Sequence, residues 1–245
     1  MNRIVFFLAF TFLNLSLSGQ EEPKKERREF KNTIKWNPTP LAFGSENLVF
    51  GYERVLPKNR TASINLGLIK FPVLADNPSG VLKNIERTRA TGFTVSADYR
   101  FYPSKRNRLP APDGVYFGPF VNYFRYNTDF SLDVYEAGVL EANGGLNSQI
   151  DIVFIGFQLG YQFVFWDRFT LDMILFGPAL GMYGADFKAE GDISADQDMQ
   201  EFFDYLKEQF PLIGDLATSG DAKATGASTS WSVGYRYSIS IGYRF

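Results

Sequence analysis

The sequence contains no cysteine and no histidine. Without cysteine there are no disulfides, no thiolate nucleophile and no site for a lipoprotein anchor. Without histidine the usual partner of a nucleophilic serine is missing, and zinc loses its two preferred ligands. Charge of one sign is also missing. The 25 Lys and Arg residues nearly cancel 27 Asp and Glu, leaving a formal net charge of -2. No basic field suits nucleic acid. Carboxylate-only chemistry is what remains for an enzyme, but the acids are scattered. The acidic stretch from Glu190 to Asp198 lacks the spacing of a calcium loop. No catalytic, metal-binding or cofactor-binding residue is expected, and no cofactor.

The N-terminus has one early cation, Arg3, then an apolar run from Ile4 to Leu17 and small residues at Ser16, Ser18 and Gly19. That order describes a secretory signal peptide. The run is shorter than the roughly 20 residues of a spanning helix. Residues 1–19 are expected to be the signal, with cleavage before Gly19 or Gln20. Residues 20–31 form a flexible periplasmic lead-in, mixed in charge, and 32–245 the folded unit.

What the chain has in excess is aromatic side chains, 17% of residues, with 25 Phe and 13 Tyr. They are arranged with a period of two. From Trp231 the odd positions read Trp231, Val233, Tyr235, Tyr237, Ile239, Ile241, Tyr243 and Phe245. The even positions read Ser232, Gly234, Arg236, Ser238, Ser240, Gly242 and Arg244. A strand alternates its faces, so one face is apolar and the other small or charged. The pattern exceeds the 9–11 residues or so that cross a bilayer as a tilted strand. Similar alternation predicts eight strands, near 32–43, 47–56, 61–71, 89–102, 114–126, 149–165, 169–183 and 229–245. Pro38, Pro40 and Pro119 mark the first and fifth as less regular. In the seventh, Phe169, Leu171, Met173 and Leu175 are expected on one face, and Thr170, Asp172, Ile174 and Phe176 on the other.

An even number of strands suits a closed antiparallel barrel, which leaves no edge unpaired in lipid. The turns Pro57–Arg60, Pro103–Asp113 and Trp166–Arg168 fall on the periplasmic side. The polar connections Pro72–Thr88, Asn127–Ser148 and Gly184–Ser228 fall on the outer side as long loops. Within the last, Met199, Phe202, Phe203, Leu206 and Phe210 recur at helical spacing, predicting one amphipathic helix over 196–210. The fold class is all-β: an eight-stranded antiparallel transmembrane barrel with that helix in its last outer loop. A soluble β-fold with its apolar face inward is the competing architecture. The export signal, the strand length and the polar character of the second face favour the membrane.

On this assignment Glu53, Asp98, Arg100, Asp172, Arg236 and Arg244 point into the lumen, three acids against three guanidinium groups. Buried charges persist only when paired, and eight strands enclose little more than their own side chains. A structural salt-bridge core is expected there. A path for protons or solutes is the alternative.

The segments KWNPTPLAFGSENLVFGYERVL and DYRFYPSKRNRLPAPDGVYFGPFVNY resemble an uncharacterised family of small outer-membrane barrels in Bacteroides-type bacteria. The resemblance implies an eight-stranded barrel in the bacterial outer membrane, inserted by the barrel-assembly machinery. Ile241, Tyr243 and Phe245 resemble the signal that machinery reads. The expected function is non-enzymatic, structural or surface-interacting through the outer loops. The alternatives are a small-solute channel or transporter, and a lipid-modifying outer-membrane enzyme. The expected partners are outer-membrane lipid, the assembly machinery during insertion, and an extracellular partner at the outer loops. Nucleic acid is not among them.

Overall fold

The structure, a computed structural model, describes residues 30–70, 82–136, 139–191 and 225–245. It is a closed antiparallel barrel. The strands are β1 (Asn32–Asn37), β2 (Leu48–Leu56), β3 (Arg60–Leu68), β4 (Leu82–Phe101), β5 (Gly114–Glu136), β6 (Val139–Phe165), β7 (Phe169–Phe176), β8 (Pro178–Gly191), β9 (Thr225–Tyr235) and β10 (Ser238–Arg244). These ten segments make eight staves. β7 and β8 are the lower and upper parts of the seventh, interrupted at Gly177. β9 and β10 are the upper and lower parts of the eighth. β10 pairs with β1, which closes the ring. The lower seam is fastened where Asn32 and Phe245 exchange backbone hydrogen bonds at 3.2 and 2.9 Å.

Two of the lower turns are tight. Lys58 and Asn59 adopt φ of 63° and 54°, and Trp166 and Asp167 adopt 49° and 62°. Left-handed backbone at successive positions matches the twist of a hairpin, and Asn and Asp tolerate it best among non-glycine residues. The longer lower turn, 102–113, is organised by Asn107. Its side chain accepts from the Val115 N–H and donates to the Val115 carbonyl, both at 2.8 Å. The amide thereby stands in for a neighbouring strand at the start of β5.

Register sets the tilt. Sideways pairing from Thr33 passes through Glu53, Ser63, Asp98, Phe120, Gly156 and Ala179 to Gly234. The direct partner of Thr33 on that last stave is Arg244, ten residues from 234. This stagger is the shear of the barrel, and it tilts the staves by roughly 40°. With strands about 4.8 Å apart, each sideways step from β1 toward β9 climbs about 3 Å.

The outward face is apolar. Ile34, Phe50, Leu66, Ile155, Phe157, Leu180, Val233, Ile239 and Ile241 are all exposed, while Thr33, Glu53, Thr61, Ser238 and Ser240 are buried. This is the inverse of a soluble barrel. On β5 and β6 the apolar belt stops at Arg125 and Asp151, which face each other across the pair and are joined at 2.7 Å.

Three expectations are corrected. The first strand ends at Asn37, and a 3-10 turn, Thr39–Phe43, replaces its upper half, since Pro38 and Pro40 cannot donate to a ladder. The supposed loop over 127–148 is instead largely the paired upper parts of β5 and β6, and strand also takes in 82–88, 184–191 and 225–228. Asn127, Asp129, Ser131 and Asp133 gave 127–148 the polarity of a loop, although Tyr126, Thr128, Phe130, Leu132 and Val134 alternate with them. Phe176 faces out, because a register shift between β6 and β7 opposite Leu175 switches the inward parity; above it Ala179 and Tyr183 point in. Among the described residues the one helical segment is the 3-10 turn. The helix expected over 196–210, like the signal peptide, lies outside the described residues.

Candidate functional site

The lower lumen is a continuous polar cluster to which all eight staves contribute. Lys35 on β1 places Nζ 2.9 Å from Glu53 Oε2 and 2.7 Å from Asp172 Oδ2. Arg100 on β4 places Nη1 2.6 Å from Asp172 Oδ2 and 3.4 Å from Glu53 Oε1, while its Nε donates to Asp98. Gln162 on β6 joins both halves. Its Oε1 accepts from Lys35 at 3.2 Å and from Arg100 at 3.3 Å, and its Nε2 donates to Glu53 at 3.0 Å. β3 adds Thr61, donating to Glu53 at 2.8 Å, and Ser63, donating to Asp98 at 3.2 Å. β5 adds Tyr116, donating to Asp172 at 2.6 Å. The eighth stave adds Arg236, whose Nη2 lies 3.6 Å from Asp98 Oδ2.

Three carboxylates thus meet three cations, and Lys35, Glu53, Asp98, Arg100, Gln162 and Asp172 are all buried. Such a group survives out of water because Lys35, Glu53, Asp98, Arg100 and Asp172 each have more than one partner. Aromatic rings complete the seal. The Arg100 guanidinium sits 4.4 Å over the Tyr116 ring, and Tyr102 donates to Gln162 at 3.1 Å. Tyr102, Tyr116, Ala111 and Ile174 pack together beside the charges.

Five of the six charged residues singled out from the sequence meet here; Arg244 does not. It lies at the lower rim, donating to the carbonyls of Asp167 at 3.2 Å and Phe30 at 2.7 Å. Lys35 takes the expected place of Arg244 as third cation. The signal was present in Ile34-Lys35-Trp36, a lysine between two outward apolar residues, but the nearby prolines obscured it. Gln162, Tyr102 and Tyr116 were also missed. They carry no charge, and nothing local reveals what they reach. Ile241, Tyr243 and Phe245 lie on the outward face at the lower rim.

Above the cluster the lumen is open. A cavity of about 350 Å³ is lined on the β5–β6 side by Phe120, Phe124 and Phe154, and on the β2–β4 side by Asn47, Asn65 and Ser96. Phe154 packs edge-on to Phe124 and Tyr183 at 6.1 and 5.7 Å. Arg236 lies where cluster and cavity meet, its guanidinium 4.8 Å over the Phe120 ring.

No family model matches the chain, and no curated protein matches it. One solved structure that superposes is a major outer membrane protein from Thermus thermophilus. It is 12% identical over 88% of this chain and 98% of that one, with a TM-score of 0.38. A likeness that distant carries no argument about function. The resemblance to Bacteroides-type barrels rests on the quoted segments alone.

Proposed function

We propose that this chain is a bacterial outer-membrane β-barrel that does not conduct: a non-enzymatic anchor whose tall strands serve a structural or surface-interaction role outside the bilayer. The observation that carries the proposal is the closure of the lower lumen by a charge-balanced cluster drawing on every stave. An ion crossing it must break contacts between buried, mutually neutralised groups. The membrane placement is supported by the outward apolar belt, with Tyr243, Phe245 and Phe169 at its lower end and Trp231 toward its upper end, as in the aromatic girdles of such barrels. The surface role is supported by β4, β5, β6, β8 and β9, whose paired strands continue beyond Arg125 and Asp151.

The test is conductance in planar bilayers, run beside fractionation of the producing cells. The purified protein is expected to insert without discrete current steps, to fractionate with the outer membrane, and to migrate differently on a gel when left unheated. Steady single-channel currents would overturn the sealed-lumen reading. Recovery from the soluble periplasm would overturn the membrane reading.

A further inference from the structure

Charge is divided unevenly between the two ends of the barrel. At the lower end the stretch 54–60 carries Arg54, Lys58 and Arg60 and no acid, and the turn 102–113 carries three cations against Asp113. Toward the other end the stretch 126–151 of the β5–β6 hairpin carries five acids and no cation. Residues 20–29, which lead into the lower end, hold four acids and four cations, so they add no net charge there.

The three cations of the β2–β3 hairpin stand at the level of the lower aromatic girdle. Sideways pairing from Phe245 runs through Asn32 to Arg54. Each such step climbs with the tilt, so Arg54 stands above Phe245 and within the girdle. Register puts Arg54, Ala62 and Tyr99 in one row, and Arg60 and Phe101 in the next row down. Both rows lie on the outward face, because the buried Glu53, Thr61 and Arg100 alternate with them. Arg54 and Arg60 are thus diagonal neighbours on adjacent strands, close enough for long side chains to share one ligand. Lys58 follows in the turn between them.

These groups are held at the bilayer surface with donors to spare. The Arg60 guanidinium lies 5.5 Å from the centre of the Phe101 ring and reaches the Tyr99 hydroxyl at 3.5 Å. A cation resting on girdle rings keeps its head at the interface while its stem covers apolar surface. Arginine has five N–H donors, and Tyr99 engages one nitrogen of Arg60. Arg54 and Lys58 are exposed, and among the described residues no carboxylate pairs with either. Arg168, across the seam, is placed differently. It lies 4.4 Å over the Phe30 ring and donates to the Tyr243 hydroxyl at 2.8 Å, but it adjoins Asp167.

We propose that Arg54, Lys58 and Arg60 form a site for the phosphate of an anionic phospholipid in the periplasmic leaflet. Outward groups at this height meet lipid headgroups, and a phosphate is the headgroup element that three cations match. Arg54 and Arg60 donate to its oxygens from adjacent strands, and Lys58 adds a point charge from below. The acyl chains run up the outward face past Ile64. A phosphatidylcholine head carries its own cation beside the phosphate, whereas a phosphatidylglycerol head carries none, so the site selects the second. This proposal rests on the membrane placement above, and its test separates the two.

The chain has no native cysteine, so single labels report cleanly. A fluorophore is placed at Ile64→Cys, one row above Arg54 on the outward face, or at Ile239→Cys, on the outward face of the eighth stave. The full protein is refolded in phosphatidylcholine vesicles. The quenchers are phosphatidylglycerol and phosphatidylcholine, each with a nitroxide on the acyl chain. Both should quench the label at 239 about equally. At 64 phosphatidylglycerol should be preferred by about fivefold or more, the worth of at least one cation at an anionic surface. The triple variant Arg54→Gln, Lys58→Gln, Arg60→Gln should bring that preference close to one. The triple variant Lys105→Gln, Arg106→Gln, Arg108→Gln removes the same charge from the long turn and should leave at least about half of the preference, because those side chains stand outside the two rows. Gel migration before heating identifies any variant that has not folded. A label at 239 that neither lipid quenches overturns the membrane placement itself. Quenching at 239 with no preference at 64 overturns the lipid site alone. Equal loss of preference in the two triple variants also overturns it, since the effect would then belong to the overall charge of the lower end. Loss of the preference on adding inorganic phosphate at matched ionic strength overturns the lipid as the occupant.

Discussion

Below Phe120 the lumen is filled by Arg100, Gln162, Tyr102, Tyr116 and their ionic partners; above it the same staves enclose a cavity. Both halves share the inward–outward alternation, so alternation does not explain the contrast. Side-chain size does. At the upper levels β6, β8 and β9 present Gly156, Ala179, Gly181 and Gly234 to the interior, and Phe154 takes up only part of the space they leave. At the lower level a glycine, Gly160, is covered by the Tyr116 ring, which Asp172 holds in place. The lower half gains closure from long side chains that each have several partners. The upper half gives up packing for room. Strong, many-partnered contacts thus concentrate at one end of the barrel, and adaptable aromatic contacts at the other.

Deleting charge should separate the halves most sharply. Arg100→Met leaves Glu53, Asp98 and Asp172 with only Lys35 and the distant Arg236, and should cost about 3–5 kcal/mol, the usual loss when one partner of a buried ion pair is removed. Denaturant unfolding in vesicles measures it. Asn122→Ala, in the upper cavity, should shift the same midpoint by less than about 1 kcal/mol. Equal losses at the two sites would erase the contrast. Next comes the outward face, which both halves share. Ile239→Arg should cost about 2–4 kcal/mol as a cation placed in lipid, whereas Ser240→Ala, on the inward face, should be nearly neutral.

A smaller and more diagnostic effect is expected from two glycines. A Cβ at Gly160 would lie 2.4 Å from the Tyr116 hydroxyl and 2.5 Å from the Met173 carbonyl oxygen, neither of which can withdraw. Gly160→Ala should cost about 1–3 kcal/mol, the range for overpacking. A Cβ at Gly181 would lie 2.6 Å from the Phe154 ring, which lines the cavity, and 2.8 Å from the buried Tyr183 ring. Gly181→Ala should cost about 1 kcal/mol, less than Gly160→Ala, because the facing atoms are ring edges and one of the two rings lines the cavity. The smallest shift among the inward guanidinium groups should come from Arg244→Ala, about 1–2 kcal/mol, because it lies at the rim, where it donates to the carbonyl oxygens of Asp167 and Phe30. A loss as large as that of Arg100→Met would mean that the lower rim, not the cluster, holds the barrel closed.

The sequence by itself determined which side of the wall most residues occupy. Period-two alternation is local: Ile239 and Ile241 face out and Ser238 and Ser240 face in because successive Cβ atoms on a strand point oppositely. The tight turns at 57–59 and 166–168 and the inward placement of Glu53, Asp98, Arg100 and Asp172 were legible for the same reason. Which inward groups meet was not legible. Lys35 and Gln162 are 127 positions apart, and only the ten-residue stagger of the closed sheet brings them to one level. The same stagger leaves Arg244 at the rim, below the charges it was expected to join. The parity switch at Phe176 depends on a register shift against β6, which no pattern within the seventh strand contains. The end of the first stave, too, belongs to the tertiary structure. Pro38 and Pro40 foretell an irregular first strand. That its early end stands beside a stave whose described strand reaches to Thr225 follows only from tilt and closure.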